Sequence, residues 1–254
     1  MRIDIVTVAC RSDNYAFLVR ADGKTALVDA PEAAPILAEL DRRDWSLDEV
    51  WITHHHADHV EGLAGLKDRF SDLHVTGGKA DMERLPALNR SVEDGDSFNF
   101  AGYPVHVLDV SGHTVGHIAF HMPDADAAFT ADSLMALGCG RIFEGTPEMM
   151  WNSLQKIAAL PDDTVIYSGH EYTLNNAKFA LTIEPDNADL QARAERVEDM
   201  RDNDEFTVPS TLAEEKATNP FLRAHLASVK EAISMDEADD ISVFAEIRSR
   251  KDSF

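Results

Sequence analysis

The chain is poor in cysteine, in basic residues and in long apolar runs. Only two cysteines, Cys10 and Cys139, occur in 254 residues, and they stand far apart. Such a pair cannot build the disulfide framework of a small secreted scaffold, so a reducing cytoplasm is the expected compartment. Lys and Arg number 23 against 46 Asp and Glu, a formal net charge of −23. A surface with that balance repels nucleic acid and anionic membranes, so neither is an expected partner. No apolar run approaches the roughly 20 residues that cross a bilayer. The opening Met1–Val6 segment carries Asp4 among its apolar residues and no small-residue cleavage site, so it reads as a first strand and not as an export signal. Internal repeats and low-complexity segments are missing too. With 44% hydrophobic and 27% charged residues, the remainder is ordinary globular composition, enough for one large domain or a medium one with a smaller companion.

Against that background stands Thr53-His54-His55-His56-Ala57-Asp58-His59, four histidines and an aspartate in seven residues. Neutral imidazole nitrogen and anionic carboxylate oxygen suit zinc, iron or manganese. A lone histidine on a strand is more often packed or surface-exposed than a ligand, and a solvated polar loop is the plain alternative. No packing requirement asks for this density, however. The preceding Val50-Trp51-Ile52 has the composition of a buried strand. On an extended backbone residues two apart point the same way, so His54 and His56 chelate one ion while His55 points elsewhere. The chain must turn beyond Ala57, which frees Asp58 and His59 to serve a second ion near the first.

Around this cluster strand-like and helix-like stretches interleave. Tyr15–Val19 and Thr25–Val28 flank Ala21-Asp22-Gly23-Lys24, a strong hairpin signal. Ala33–Leu40 reads as a helix entered through Pro31 and Pro35, and Gly62–Phe70 has helical spacing. Val105–Leu108, Ile118–Phe120, Ala127–Phe129 and Val165–Tyr167 read as strands. The first part is therefore α/β, or a layered αββα arrangement. After about Thr173 the character changes. Lys178–Ile183, Asp189–Arg201, Thr211–Lys216, Phe221–Ala232 and Ser242–Arg250 lean helical, and Thr211 with Glu214 fits a capping box. The expected domains are residues 1–172 and a small all-α region at 173–254.

Further donors follow the cluster in order. Gly112-His113-Thr114 sits at a Gly-permitted turn. Ala131-Asp132 ends a strand with a carboxylate able to bridge two cations, and Gly169-His170 ends another with an imidazole. Strand-end loops along one sheet edge are where such sites form. In this order the residues resemble the metallo-β-lactamase superfamily and, within it, the glyoxalase II (hydroxyacylglutathione hydrolase) family. Gly138–Arg141, Phe143–Thr146, Gly169–Asn176, Pro209–Glu215, Asn219–Arg223 and Arg248–Asp252 match that family's wording, so the resemblance covers nearly the whole chain. The metal motif is shared by many chemistries, and the C-terminal stretches are far more specific.

The resemblance implies an αββα sandwich carrying two divalent ions, zinc before iron or manganese, and a helical domain completing the substrate pocket. It implies His54, His56 and His113 on the first metal, Asp58, His59 and His170 on the second, and Asp132 bridging. Arg141, Tyr172, Arg248 and Lys251 fall where the family binds glutathione. Some members carry Lys at Arg141 and Tyr at Phe143, so the geometry of one charge and the presence of one hydroxyl differ here. The implied reaction is hydrolysis of S-(2-hydroxyacyl)glutathione, typically S-D-lactoylglutathione, to glutathione and D-lactate, the second step of methylglyoxal detoxification. Two cations sharing a water lower its pKa toward neutrality and furnish the attacking hydroxide. Asp58 also orients that hydroxide. The expected enzyme is a monomer acting on a small molecule.

Alternative readings are weaker. Arg248 and Lys251, three apart, share a helix face, and alone they would read as a solvated helix end near the dipole's negative terminus. Superfamily β-lactamases usually carry Cys at the Asp132 position and are exported, and the nucleases carry an inserted domain or clamping arm. Lactonases share the seven ligands without this C-terminal wording. Glutathione persulfide dioxygenases use a single iron and usually lack the helical region. A non-catalytic, metal-stabilised binding protein has no reason to keep Arg141, Tyr172, Arg248 and Lys251 together. His55 is expected to point away, His117 to pack or lie in the outer shell. Asp29 is expected as an outer-shell residue or a helix N-cap, Cys139 as a buried inert thiol, and Trp45, Trp51 and Trp151 as core.

Overall fold

The computed structural model describes residues 3–254, and Met1 and Arg2 of the expected first strand lie outside the described residues. The elements run β1 (Asp4–Cys10), β2 (Asn14–Ala21), β3 (Lys24–Val28), α1 (Ala33–Arg43), β4 (Glu49–Ile52), α2 (Ala57–Val60), α3 (Leu63–Arg69), β5 (His74–Gly78), β6 (Arg90–Val92), β7 (Ser97–Phe100), β8 (Tyr103–Asp109), β9 (Ile118–Met122), β10 (Ala127–Ala131), β11 (Leu134–Met135) and β12 (Gly138–Cys139). Then follow α4 (Pro147–Ala158), β13 (Val165–Ser168), α5 (Thr173–Ile183), α6 (Ala188–Asp202), β14 (Ser210–Thr211), α7 (Leu212–Thr218), α8 (Ala227–Ala232) and α9 (Asp240–Ser253). One six-stranded sheet has the order β1-β2-β3-β4-β5-β6 and a second the order β14-β13-β10-β9-β8-β7. Two compact units result. One runs to Asp109 and takes in Val115–Phe129, and the other holds Val110–Thr114 with Thr130–Phe254.

In the first unit, strand periodicity sorts side chains between two layers. Along β4, Val50 and Ile52 join Leu18, Leu27, Val75 and the helix residues Ile36, Leu40, Leu63 and Leu66 in one cluster. Trp51 points the opposite way and meets Phe98, Phe100 and Phe120 at 5.2–5.6 Å, as alternation on a pleated strand requires. Helices therefore cover one face of the first sheet, and β7 and β9 of the second sheet cover the other. The β2–β3 hairpin turns through Asp22 and Gly23, both with positive φ, the twist that two-residue hairpins favour. The strands β3 to β6 run parallel, so the loops after β3 and β4 leave from the same edge. Trp45 packs against the first core cluster at its edge. It is half-buried, with Arg20 and Arg43 guanidinium groups 5.4 and 4.9 Å from its ring.

The second unit is tied by a buried polar network. Glu215, wholly buried on α7, accepts from Ser210 Oγ at 2.6 Å, Leu137 N at 2.9 Å and Asn219 Nδ2 at 2.9 Å, and from Arg193 Nη2 of α6. Asn219 Nδ2 also donates to Met135 and Gly138 carbonyls at 3.1 and 2.9 Å, which pins the β11–β12 hairpin. The buried carboxylate of Glu215 is thus fully partnered, as its burial demands. Thr211 caps α7 through Glu214 N at 3.2 Å, as the capping spacing predicts. Phe221–Ala232 is not one helix: only Ala227–Ala232 is helical. Asn219 Oδ1 takes Phe221 N at 3.0 Å, a side-chain turn that competes with helix initiation there.

Candidate metal centre

The donors sit where strands end. His54 and His56 follow β4, and Asp58 and His59 lie in the single turn of α2. His113 lies in the loop after β8, Asp132 directly follows β10, and His170 follows β13 by two residues. His54, His59, His113, Asp132 and His170 are buried, and His56 and Asp58 half-buried. Their ligating atoms fall into three groups: His54, His56 and His113; His54, His59 and Asp132; and Asp58, His59 and His170. Within each group the atoms lie within 4.8 Å of one another. Asp132 Oδ2 is 3.4 Å from His113 Nε2 and 3.3 Å from His170 Nε2, and Asp58 Oδ2 is 3.7 Å from His59 Nε2.

The donor chemistry fits cations. His59 Nδ1 donates to Asp29 Oδ2 at 2.8 Å, and His113 Nδ1 donates to the Arg141 carbonyl at 2.8 Å. A proton held on Nδ1 leaves the Nε2 lone pair as the ligating atom, the usual device for fixing the tautomer of a metal-bound histidine. Asp29 thus holds the His59 ring and is not the cap of α1. Its carboxylate also accepts from Thr53 N and Oγ1 at 2.8 Å each, and the residue at the N-cap position of α1 is Glu32, without a side-chain capping bond. Imidazole nitrogens, two of them on rings whose Nδ1 is so engaged, together with carboxylate oxygens suit a divalent ion of borderline hardness.

Local backbone serves the same end. Ala131 has φ 42°, a left-handed conformation costing on the order of 1–3 kcal/mol for a residue with a Cβ. It is held there by Gly169 N on the Ala131 carbonyl and by Ser133 N on the Thr130 carbonyl, both at 3.0 Å, and it delivers Asp132. Beside it only glycine fits at position 140, because a Cβ there would fall 2.0 Å from the Asp132 carbonyl oxygen and 3.0 Å from His113 Nδ1.

His55 turns to Asp81 Oδ2 at 3.0 Å. His117 stacks on His54 with ring centroids 4.5 Å apart at 15°. The basic residues cluster in the second unit. Arg248 is buried on α9, donates to the Cys139 carbonyl at 2.8 Å and lies 3.0 Å from Asp252. The exposed Arg141 is 3.7 Å from the same carboxylate. Lys251 Nζ donates to the Asn175 carbonyl at 3.1 Å and lies over Phe179 and Phe254 at 5.3 and 5.1 Å. Burial, then Arg248 and Arg141, push its ammonium down to about 8. Tyr172 stacks on His170 at 4.7 Å, and Phe143 meets His113 edge-on at 5.2 Å. Burial raises the Cys139 thiol to about 11, leaving it inert.

Two contributors carry no signal in the sequence: Asn14, which donates to Asp58 Oδ2 at 3.0 Å, and the buried Asp81. Each is polar at a place where only the folded neighbourhood shows its use.

Residues 11–170 match the metallo-beta-lactamase superfamily model and residues 171–254 the model of the hydroxyacylglutathione hydrolase C-terminus. A relative from Ruegeria pomeroyi named hydroxyacylglutathione hydrolase is 62% identical over the full length of both chains. The chain belongs to the hydroxyacylglutathione hydrolase family. A second member, from Roseobacter denitrificans, is 59% identical, again over 100% of both chains. Among solved structures, the BLEG-1 B3 metallo-beta-lactamase superposes with a TM-score of 0.67 at 17% identity, covering 86% of this chain and 99% of its own, and shares the fold. In this hydroxyacylglutathione hydrolase family member, no helix among the described residues is long and apolar enough to cross a membrane.

Proposed function

We propose that the chain hydrolyses the thioester of S-(2-hydroxyacyl)glutathione, S-D-lactoylglutathione above all, to glutathione and D-lactate, the second step of methylglyoxal detoxification. The observation that carries this reading is the hydroxyacylglutathione hydrolase C-terminus match at residues 171–254, beside relatives of that name matched over the full length. His54, His56 and His113 are assigned to one divalent ion, Asp58, His59 and His170 to a second, and Asp132 to both, an assignment supported by the three donor groups. Zinc is the proposed occupant, with iron and manganese suited to the same nitrogen and oxygen donors. When bound, such a pair of cations acidifies a shared water and polarises the thioester carbonyl.

The chain's own residues orient the reactants. Asp58, steadied by Asn14, is assigned to direct the attacking water as well as to ligate. Arg141, Tyr172, Arg248 and Lys251 are assigned to the glutathione moiety, with residues 173–254 as the substrate-binding domain and 1–172 as the metal-bearing one. Arg248 already spends a hydrogen bond on the Cys139 carbonyl and an ion pair on Asp252, so it acts mainly through its charge and by shaping the cluster. Arg141 and Lys251 take the glutathione carboxylates. These three cations set a local positive field inside a chain of net charge −23, and an anionic substrate needs that field.

The test follows thiol release from S-D-lactoylglutathione, with metal analysis of the same preparation. Release that stops on chelation and returns with metal is expected. Absence of release from metal-loaded protein sinks the reading, and oxygen uptake with glutathione persulfide in its place would move it to a dioxygenase.

A further inference from the structure

Asp81 is a carboxylate with 0% exposure that lies outside the proposed ligand set. It closes the short 3-10 turn Lys79–Asp81 after β5. Its Oδ2 accepts from His55 Nδ1 at 3.0 Å. Its Oδ1 accepts from Arg84, through Nε at 3.1 Å and through Nη2. The same Oδ1 presses on Gly116, where a Cβ would stand only 2.1 Å away. A Cβ on Gly78 would likewise meet the Gly116 carbonyl at 2.9 Å, so the Gly78–Asp81 corner and the Gly116 turn touch along two lines. Next to Gly116, His117 stacks on His54.

We infer that Asp81 is a positioning residue for the pair His54 and His56, acting through His55 on one side and through the Gly116–His117 turn on the other. His55 stands between the two donors, so fixing its ring fixes the peptide planes that carry both. The stack of His117 on His54 then sets the ring plane of the first donor. Apolar packing would fill this space more cheaply, because a buried ion pair recovers little of its desolvation cost. Retaining a buried carboxylate that divides its oxygens between an arginine and a histidine is explained by orientation. The inference rests on the reading that His54 and His56 hold a metal.

The test uses cobalt-loaded protein dialysed against a chelator, comparing the parent with Asp81→Asn, His55→Phe, Gly116→Ala and the Asp81→Asn/His55→Phe pair. Asp81→Asn keeps the shape but turns an amide N–H toward a donor. His55→Phe keeps ring volume and loses the bond, and Gly116→Ala pushes Asp81 from its seat. Each single variant is expected to hold one of its two ions roughly tenfold to a hundredfold more weakly, with an altered cobalt spectrum. The double variant should hold metal no worse than Asp81→Asn, and the melting temperatures of the stripped variants, lowered by the lost buried contacts, should not rank in the order of their metal loss. Parent-like retention, losses that multiply in the double variant, or stripped variants that melt early in step with metal loss would each overturn the positioning role. A parent that holds no cobalt at all removes the two-metal reading and this inference together, an outcome distinct from variants that hold it as well as the parent.

Discussion

In the Thr53–His59 run the conspicuous residues present donor atoms to one another, whereas in the Pro209–Arg223 run they disappear into the interior. Ser210, Glu215 and Asn219 are all buried, and their polar atoms bond to Leu137, Met135, Gly138 and Arg193. Arg223 makes a two-pronged contact with Glu184 at 2.7 and 2.9 Å. This family-matching stretch thus works as scaffold. It fixes the β11–β12 hairpin that leads to Gly140 and Arg141, and the Arg141 carbonyl orients His113. A motif can therefore identify a family without touching the chemistry, since interior polar networks constrain sequence as tightly as an active site does.

The sharpest way to separate the two regions is to damage each and ask which property fails. Asp132→Ala removes the carboxylate shared by both proposed ions. It should lower kcat by more than the roughly hundredfold that losing an outer-shell partner costs, with the bound metal count falling and the melt of the metal-stripped protein little changed. Glu215→Ala should do the converse. Stripping the partner from buried Arg193 costs about 3–5 kcal/mol, a fall in Tm of roughly 10 °C for a chain of this size, while the remaining folded protein keeps its kcat. A metal-free phenotype for Glu215→Ala, or an unfolded one for Asp132→Ala, would dissolve the contrast.

A smaller effect is expected at Lys251. Its ammonium is pushed down to about 8 by burial and by Arg248 and Arg141. It is therefore charged below that pH and loses its proton as pH rises through it, while an ordinary lysine would stay charged. The KM for the anionic thioester should rise from pH 7 to 9 with kcat nearly flat. Lys251→Ala should raise KM at pH 7 by roughly tenfold, as loss of one charge-assisted hydrogen bond does, and should flatten the pH dependence. A KM unmoved by the substitution would detach Lys251 from glutathione.

Much of the site was legible because its signal is compositional. Four histidines and an aspartate in seven residues have few other uses, and the spacing of two between His54 and His56 survives any local conformation that stays extended. The hairpin at Asp22-Gly23, the cap at Thr211 and the alternation around Trp51 follow from nearest-neighbour rules. Phe221–Leu226 escaped them for a tertiary reason: the Asn219 side chain diverts it from a helix.

By itself the amino-acid sequence determined the candidate donors, the acidic composition, most of the strand–helix order and the family, because each depends on residue type and short-range spacing. Only the tertiary structure decided which groups hold those donors in place. Asn14, Asp29 and Asp81 lie at sequence distances of 44, 30 and 26 residues from the cluster atoms they bind. Contacts of that range are made by the packing of sheet edges and turns, and no local pattern records them.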